Sequence, residues 1–339
     1  MMLRVAVNGF GRIGRSAFKV AIEKHSDEIE IVGINDLTSP ATLAHLLKYD
    51  SAYGVWDHEV SSDDSSTGSG HIIVDQNPYT VYQEKEPARL PWKDLNVDVV
   101  IESTGKFTDA EGMKQHLLAG AKKVVLSAPA KGEGVKTLLI GVNAQDYKGE
   151  TLVNNASCTT NCIAPVVDVI NNKFGIAKAY MTTIHAYTQD QSLQDGPHKD
   201  LRRARAAAVN MIPTSTGAAV ATTEVIPALK GLFDGMSMRV PIIVGSISDI
   251  TFLLKKKVTV EEVNEALRQA SQGELKNIMA VTDEPIVSAD IVGRSESAIV
   301  DLGLTQVVDG DFVKVFAWYD NEWGYSNRLI EQVINVGKA

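Results

Sequence analysis

Cys158 and Cys162 are the only two cysteines of the chain, and His185 follows them at the end of a predicted strand. Two cysteines without a secretory leader favour an intracellular reactive thiol over a disulfide framework. A histidine within reach of a thiol can activate it by forming a thiolate–imidazolium pair. Cys158 and His185 therefore predict a cysteine enzyme, whereas we expect Cys162 to be structural.

The elements around Cys158 predict how it is positioned. Thr151–Val153 has the pattern of a strand, and the periodicity of Cys162–Phe174 is that of a helix, so Cys158 should lie at or near a helix N-terminus. Such an end stabilises a thiolate and can donate hydrogen bonds to a developing oxyanion. Taken singly, a cysteine is more often a small core residue and a histidine an ordinary strand-end residue.

Three glycines, Gly9, Gly11 and Gly14, lie between an apolar strand pattern at Leu3–Val7 and a helical pattern. This context is typical of a dinucleotide-binding turn, in which the backbone approaches a pyrophosphate at a helix N-terminus. Asp36 follows the next strand, where a carboxylate can bind an adenosine ribose and repel a 2'-phosphate. NAD is therefore favoured over NADP, and a glycine-rich turn without a ligand remains the alternative.

The first half of the chain alternates strands with helices, which predicts a Rossmann-type, doubly wound parallel sheet of the α/β class. A helix is expected at Ala110–Ala119, and a surface loop at Ser61–Gly70, which is rich in serine, aspartate and glycine. Beyond those already named, strands are expected at Ile29–Ile34, Val97–Ile101, Lys123–Leu126 and Leu138–Ile140.

The second half predicts an α+β domain, with a mixed or antiparallel sheet covered on one face by helices. Thr259 and Glu262 predict a capping box at the start of one of these helices. A last helix at Gly324–Val336 could pack back on the first domain. We therefore expect an NAD-binding domain at 1–157, joined by a C-terminal helix at about 322–339, and a catalytic domain at 158–321. Strands of the second half are expected at Ala179–Ile184 and within Met236–Lys255 and Ala298–Tyr319.

The composition of the 339-residue chain, with 44% hydrophobic and 22% charged residues, is that of a globular protein of two domains. No apolar run approaches the ~20 residues of a membrane span, which makes the cytoplasm the expected location. The net charge of -9 argues against a dedicated nucleic-acid role. A basic cluster does exist, and we interpret it as a solvated or subunit-facing loop: Lys199, Arg202, Arg203 and Arg205.

Seven motifs, in order and spread over essentially the whole chain, resemble those of phosphorylating glyceraldehyde-3-phosphate dehydrogenases of type I. No single motif is decisive, but their order leaves little room for chance. They are Asn8–Arg15, Asn35–Leu37, Ser103–Gly105, Ser157–Cys162, His185–Gln191, Pro213–Ala219 and Trp318–Ser326.

The resemblance implies a homotetramer that uses NAD and inorganic phosphate to convert glyceraldehyde 3-phosphate to an acyl phosphate. It implies that Cys158 is the nucleophile and His185 the base, and that the loop at about 188–210 packs between subunits. Thr188, Asp190 and Arg239 match the site of the substrate C3-phosphate. Ser157, Thr159, Thr216 and Gly217 match the site of the attacking phosphate. The implied cofactor residues are Gly9, Gly11, Arg12, Ile13, Gly14, Asp36, Ser103, Thr104, Gly105, Ser127 and Asn321.

Two positions depart from the family pattern. Val220 stands where a lysine is common, and Gly196 stands where a larger apolar residue is common, although the Pro197 that follows fits the NAD-type pattern. Erythrose-4-phosphate dehydrogenase is the nearest enzymatic alternative, and Thr188 argues against it. A nucleotide- or RNA-binding protein without catalysis is the alternative of another class.

Overall fold

The computed structural model describes residues 2–63 and 69–339. The chain divides into two compact units, each built around its own large sheet. The first contains Met1–Leu138, Ala144–Ala156 and Ser326–Ala339, and the second contains Leu139–Asn143 and Ser157–Tyr325.

The first unit has a nine-stranded sheet in which seven neighbouring strands run parallel and two antiparallel strands extend one edge. The strand order is β10-β11-β9-β8-β1-β2-β7-β6-β5, and β3 and β4 form a separate pair. The strands are β1 (Leu3–Asn8), β2 (Ile29–Asn35), β3 (Tyr49–Asp50), β4 (Gly54–Val55), β5 (Val60–Asp63), β6 (Ser69–Val74), β7 (Asn77–Tyr82), β8 (Val99–Glu102), β9 (Lys123–Leu126), β10 (Lys136–Thr137) and β11 (Leu152–Asn154).

Three helices of this unit are α1 (Arg12–Lys24), α2 (Pro40–Lys48) and α3 (Ala110–Leu118). Short polar side chains begin two of them: Ser39 accepts a hydrogen bond from the Thr42 amide of α2, and Asp109 accepts one from the Gly112 amide of α3. In α1 the N-cap is Gly11, which has no side chain to fill that role.

The centre of this sheet is a switch point. From β1, the chain proceeds to β2 on one side and later to β8 on the other, and Asn8 pairs with both Asn35 and Glu102 at the strand ends. In doubly wound sheets, ligands bind in the crevice that such a reversal opens at the carboxyl ends of the strands. The Gly9 turn lies at this edge.

The second unit has a seven-stranded mixed sheet with the order β13-β14-β12-β15-β18-β17-β16. Alternate residues of β15 are buried, and the helices contact the sheet, so one face carries the core. The strands are β12 (Ile176–Ala186), β13 (Ile212–Ser215), β14 (Phe233–Val240), β15 (Ser246–Leu254), β16 (Met279–Thr282), β17 (Ala298–Val308) and β18 (Phe312–Tyr319). The helices are α4 (Cys158–Phe174), α5 (Ala218–Val225) and α6 (Val260–Gln272).

The last helix, α7 (Trp323–Lys338), returns the end of the chain to the first unit from Ser326 onward. Its side chains Leu329, Ile330 and Val333 are fully buried. Lys123 donates hydrogen bonds to the carbonyls of Val336 and Ala339 and so caps the C-terminal end of the helix.

The structure confirms the predicted fold class, and two local predictions are wrong. Leu138–Ile140 is not a strand; the short edge strand β10 ends at Thr137. The Leu138 amide still donates to the Asn154 carbonyl of β11, and the Leu138 side chain is buried, so the apolar run reflects burial beyond the end of the strand. The predicted loop at Ser61–Gly70 contains the ends of β5 and β6, since polar residues are tolerated on an antiparallel strand that faces water. Residues 64–68 of that prediction lie outside the described residues.

Candidate active site

Cys158 is the first residue of α4, so the predicted helix N-terminus is confirmed. Ser157 is the N-cap, and its Oγ accepts a hydrogen bond from the Thr160 amide at 3.1 Å. The thiol is half-buried, and it lies where unpaired amide groups and the helix dipole favour negative charge. The position at the start of a helix is that of a reactive thiol.

His185 lies near the end of β12, directly opposite Arg239 of the parallel strand β14. Its Nε2 lies 3.4 Å from the Cys158 Sγ, so the two residues predicted from the sequence are in contact. Its Nδ1 lies 2.6 Å from the Ala186 carbonyl oxygen. Two acceptors cannot approach so closely, so Nδ1 carries the proton and donates it to that oxygen, which leaves the Nε2 lone pair facing the thiol.

Arg239 places a positive charge next to the His185 Nδ1, on the side of the imidazole away from the thiol. Its Nη1 lies 2.9 Å from the His185 Nδ1, and the same nitrogen donates to the Ala186 carbonyl at 3.1 Å. Arg239 can only donate, so it makes no hydrogen bond to a protonated Nδ1; its N–H is directed to the Ala186 carbonyl, which accepts from both residues. Its positive charge beside Nδ1 disfavours a second proton on the ring.

The protonation states follow from burial and from this charge. Burial, and then the Arg239 charge, lower the pKa of His185 to about 3. Burial raises the pKa of the Cys158 thiol, and the Arg239 charge opposes that rise. In the chain without substrate, these shifts favour a neutral imidazole beside a neutral thiol. They disfavour the thiolate–imidazolium pair expected from the sequence.

The residues matched to the C3-phosphate site form one connected group. Thr188 donates to Asp190, and Arg239 donates to the Thr188 Oγ1 at 3.2 Å. Arg203 pairs with Asp190 and also contacts β13, through the Thr214 hydroxyl and the Ser215 carbonyl. Two guanidinium groups and a hydroxyl suit the binding of a phosphate dianion.

The residues matched to the second phosphate are less closely connected. Ser157 and Thr159 flank the thiol on α4, and the Thr159 hydroxyl bonds to the Tyr319 hydroxyl at 2.9 Å. Thr216 accepts a hydrogen bond from the Ala218 amide at 3.2 Å, and space is open around Gly217, the N-cap of α5. Thr159 is buried, so its side chain first serves the interior of the site.

Two residues of the site were not predicted. Tyr319 is buried at the end of β18, bonds to Thr183 at 2.7 Å as well as to Thr159, and packs its ring edge against His185. Arg203 had been assigned only to the basic cluster. Both lie far from Cys158 along the chain. Tyr319 reaches the site at the end of β18, and Arg203 contacts Asp190 and β13. The motif around Trp318–Ser326 was the one available signal for Tyr319.

The three glycines of the first unit differ in what surrounds them. A side chain on Gly9 would meet the Thr104 backbone at 2.6 Å, and one on Gly14 would meet the Gly9 carbonyl at 2.1 Å. Nothing lies within 4 Å of the position a side chain would take on Gly11. Two glycines therefore close the turn, and the third leaves room for a ligand at the start of α1, which fits a dinucleotide pyrophosphate.

The remaining matched cofactor residues of this unit line the same edge of the sheet. The Asp36 carboxylate accepts hydrogen bonds from the Phe10 amide at 2.8 Å and the Thr38 amide at 2.9 Å, which fixes it beside the glycine turn. Arg12 pairs with Asp50, Ile13 is half-buried at the start of α1, and the Ser127 amide donates to the Glu102 carbonyl. Ser103, Thr104 and Gly105 follow β8 directly.

Asn321 belongs to the second unit and is tied to the strand of the candidate base. Its Oδ1 accepts hydrogen bonds from the Gly245 amide at 3.2 Å and from the Ser246 hydroxyl at 3.0 Å. Ser246 in turn accepts from the Ala186 amide, next to His185. The amide side chain is thus held in one orientation.

The two departures from the family pattern lie at open positions. Val220 is exposed on α5. Gly196 donates its amide to the Ala204 carbonyl, and a side chain added there would meet nothing closer than 3.6 Å. Neither residue disturbs the contacts of the site.

Within residues 2–63 and 69–339, no cluster of three or more His, Cys, Asp or Glu side chains could hold a metal ion. Over the same residues, no helix has the length and apolar character needed to cross a membrane.

Comparison with known families and proteins gives a consistent result. Residues 3–110 match the family model described as the NAD binding domain of glyceraldehyde 3-phosphate dehydrogenase, and residues 157–321 match its C-terminal domain. The chain is 54% identical to a glyceraldehyde-3-phosphate dehydrogenase of Mycolicibacterium smegmatis and 53% identical to one of Mycobacterium avium, in each case over 100% of both chains. It is 51% identical to glyceraldehyde-3-phosphate dehydrogenase 2 of Streptomyces avermitilis over 99% of both.

Proposed function

Because the chain belongs to the glyceraldehyde-3-phosphate dehydrogenase family, we propose that it catalyses the NAD-dependent oxidative phosphorylation of D-glyceraldehyde 3-phosphate to 1,3-bisphosphoglycerate. The observation that carries the proposal is the 3.4 Å contact between the Cys158 Sγ and the His185 Nε2. It joins a nucleophile at a helix N-terminus to a base whose free lone pair faces it.

In the proposed reaction, the Cys158 sulfur attacks the aldehyde carbon and the thiol proton passes to the carbonyl oxygen, which gives a thiohemiacetal. His185 then takes the hydroxyl proton on Nε2 as the carbon is oxidised, and the product on the enzyme is a thioester. The α4 N-terminus stabilises negative charge on the reacting oxygen. NAD, when bound, accepts the hydride that leaves the carbon.

Phosphate completes the reaction because a thioester retains enough free energy to be displaced. An oxygen of inorganic phosphate attacks the acyl carbon, the carbon–sulfur bond breaks, and the Cys158 sulfur leaves as a thiolate that takes back the proton held on the His185 Nε2. An ester formed on a serine would be too stable for the same step. We place this phosphate beside Ser157, Thr159, Thr216 and Gly217.

The C3-phosphate of the substrate also has an electrostatic role in this proposal. Placed against Thr188, Asp190 and Arg239, it offsets the guanidinium charge that lowers the pKa of His185. The imidazole then becomes a stronger base when substrate is bound. Arg203, which pairs with Asp190 and contacts β13 just before Thr216, can serve both phosphates.

We propose that NAD is held by the glycine turn, by Asp36 at the adenosine ribose, by the segments at Ser103–Gly105 and Ser127, and by Asn321 at the carboxamide. The functional domains are then 1–157 with the C-terminal helix, and 158–321. A cytoplasmic homotetramer is the proposed assembly. It is supported by apolar side chains that are largely exposed on and next to the 188–210 segment, namely Leu193, Leu201, Val209 and Met211.

The test is NADH absorbance on mixing the chain with glyceraldehyde 3-phosphate, NAD and phosphate. We expect turnover that requires phosphate, which Cys158→Ser abolishes and His185→Asn slows by roughly 10²- to 10⁴-fold, the usual value of general-base assistance. Wild-type turnover in Cys158→Ser would contradict the mechanism.

Two comparisons separate the alternatives. A higher kcat/KM with erythrose 4-phosphate would assign the chain to the related dehydrogenase, and a higher kcat/KM with NADP would overturn the role given to Asp36. Folded protein without any NADH signal would favour a non-catalytic nucleotide- or RNA-binding protein.

A further inference from the structure

Glu102 ends β8 with a carboxylate that is fully buried, and four hydrogen-bond donors surround it. Its Oε2 accepts from the Asn8 side-chain amide at 2.6 Å and contacts the His116 Nε2 at 3.0 Å. Its Oε1 accepts from the Thr104 amide at 2.8 Å and from the Thr104 hydroxyl. The proposed catalytic steps use none of these contacts.

Trp92 fixes the direction of the hydrogen bond between His116 and Glu102. The indole Nε1–H can only donate, and it lies 3.0 Å from the His116 Nδ1, which must therefore accept. The proton of the neutral imidazole is then on Nε2 and points to Glu102. Trp92 and His116 are both fully buried, so water cannot replace either partner.

The backbone of Glu84 fixes the direction of the hydrogen bond between Asn8 and Glu102, through the side chain of Asn35. The Asn35 side chain accepts from the Glu84 amide and donates to the Glu84 carbonyl, both at 2.9 Å, so its amide cannot be reversed. It also donates to the Asn8 Oδ1 at 2.7 Å. Asn8 must then present its NH₂ group to Glu102. Because every partner of Glu102 donates, the position needs a group that accepts at both oxygens, which a carboxylate does and an amide does not.

The two segments that Glu102 joins are the turns at the proposed cofactor site. Asn8 precedes Gly9, and Thr104 lies within the Ser103–Gly105 turn. The turns touch, since a side chain on Gly9 would meet the Thr104 amide nitrogen at 2.6 Å, and the Ser103 hydroxyl donates to the Gly9 carbonyl at 2.7 Å. A small change at the carboxylate would thus move both turns.

We propose that Glu102 is a positioning residue of the dinucleotide site, whose buried carboxylate fixes the Gly9 turn and the Ser103–Gly105 turn relative to each other before the cofactor binds. His116 and Trp92 support it by holding one donor in a single orientation. The inference rests on the proposed binding of NAD at this edge of the sheet. Preorganised turns bind more tightly because less ordering is left to occur on binding.

The test is the dissociation constant for NAD of Glu102→Gln, beside Glu23→Gln as a matched control. Glu23 lies in the same unit, and within residues 2–63 and 69–339 its side chain accepts a hydrogen bond from the Trp56 indole, which a glutamine oxygen can also do. In Glu102→Gln the amide oxygen can keep Asn8 and His116, but its NH₂ group then faces the Thr104 amide. We expect the dissociation constant to rise roughly tenfold or more, the effect of one buried donor left without an acceptor, and that of the control to stay within about twofold.

A kinetic comparison separates positioning from loss of stability. We expect the KM for NAD to rise in Glu102→Gln, while kcat at saturating NAD and the KM for the aldehyde stay close to wild type. An unchanged dissociation constant, or one that rises equally in Glu23→Gln, would overturn the inference. If the wild-type chain itself does not bind NAD, the proposed function fails instead.

A second pair of variants covers the case in which Glu102→Gln does not fold. His116→Leu removes both the donor to Glu102 and the acceptor of the Trp92 indole, whereas His116→Gln keeps an N–H donor of similar reach and has an amide oxygen that can accept. We expect weaker NAD binding in His116→Leu than in His116→Gln, by about threefold or more. Equal dissociation constants for the two variants would overturn the role of the carboxylate.

Discussion

The chemistry of the candidate site depends on which nitrogen of one imidazole carries a proton. The Ala186 carbonyl holds the proton on the His185 Nδ1 and so directs the Nε2 lone pair to the thiol. A carbonyl of the following residue is an acceptor that no side-chain motif would reveal. The residue type was evident from the sequence, and its tautomer was not.

Burial of His185 also predicts how stability depends on pH. The pKa of His185 is about 3 in the folded chain, whereas its ordinary value of 6.5 applies to the unfolded chain. Between these two pH values, only the unfolded chain binds the proton. The free energy of unfolding should therefore fall as the pH drops below 6.5, with a contribution from this residue of about 1.4 kcal/mol per pH unit. Urea unfolding at pH 7.5 and pH 5 is the measurement. Between these pH values, the free energy of unfolding of His185→Asn should fall by less than that of the wild type.

Cys158→Ser is the control for that measurement, because it alters the same contact and keeps the imidazole. Its loss of stability on acidification should match that of the wild type. Parallel pH profiles for all three proteins would contradict the assigned His185 pKa.

At the scale of elements, a helix N-terminus lies at the candidate site of each unit: α1 begins at the glycine turn, and α4 begins at Cys158. Gly11 begins α1 without a side-chain cap, whereas Ser157 caps α4 and places Cys158 in the first turn. The strands that precede these two helices, β1 and β11, belong to the parallel sheet of the first unit. Both end at the edge of that sheet where β8 ends with Glu102. Gly11 has no side chain to cap α1, and nothing lies within 4 Å of the position that one would take, which is consistent with the binding of a ligand there.

The third kind of terminus is purely structural, as the predicted capping box at α6 shows. The Thr259 Oγ1 accepts from the Glu262 amide at 3.2 Å, and the Glu262 carboxylate accepts from the Thr259 amide at 2.8 Å, which confirms that prediction. Thr259→Ala should lower the free energy of unfolding by about 1 kcal/mol, because it removes the acceptor of an end amide. Denaturant unfolding provides the measurement, and NADH formation should be unchanged.

Thr259→Ser retains the hydroxyl and is the matched variant. It should stay within a few tenths of a kcal/mol of wild type. Equal destabilisation of the serine and alanine variants would mean that the methyl group, and not the cap, stabilises this helix.

At the scale of the whole molecule, the end of the chain is part of the unit formed by its beginning. Leu329 of α7 is fully buried in the first unit. Leu329→Ala should destabilise that unit by about 2–5 kcal/mol, the range for a buried leucine whose cavity cannot collapse. Thermal unfolding monitored with and without NAD gives the measurement.

The matched control is Leu118→Ala, the same substitution at a leucine of the first unit that is 74% exposed. Its effect should stay within about 0.5 kcal/mol of zero. If the two variants were equally stable, α7 would contribute little to the unit, and the burial of its apolar face would have no energetic consequence.

The sequence by itself determined the fold class, the candidate nucleophile and base, and the glycine turn. These depend on local patterns: strand and helix periods, capping residues, and glycines where a backbone must turn. The periodicity of Cys162–Phe174 already implied a helix N-terminus at Cys158. Local patterns also misled at Leu138–Ile140, because apolar residues are buried in loops as well as strands.

Only the tertiary structure decided how distant residues act on one another. Glu102 and Asn8 are 94 positions apart and Thr159 and Tyr319 are 160 apart, yet each pair shares a hydrogen bond. The pKa of His185, the place of Arg203 and the direction of every hydrogen bond at Glu102 depend on such contacts. The reason is physical: electrostatic energies and hydrogen-bond directions are set by distance in space and by burial, and spacing along the chain specifies neither.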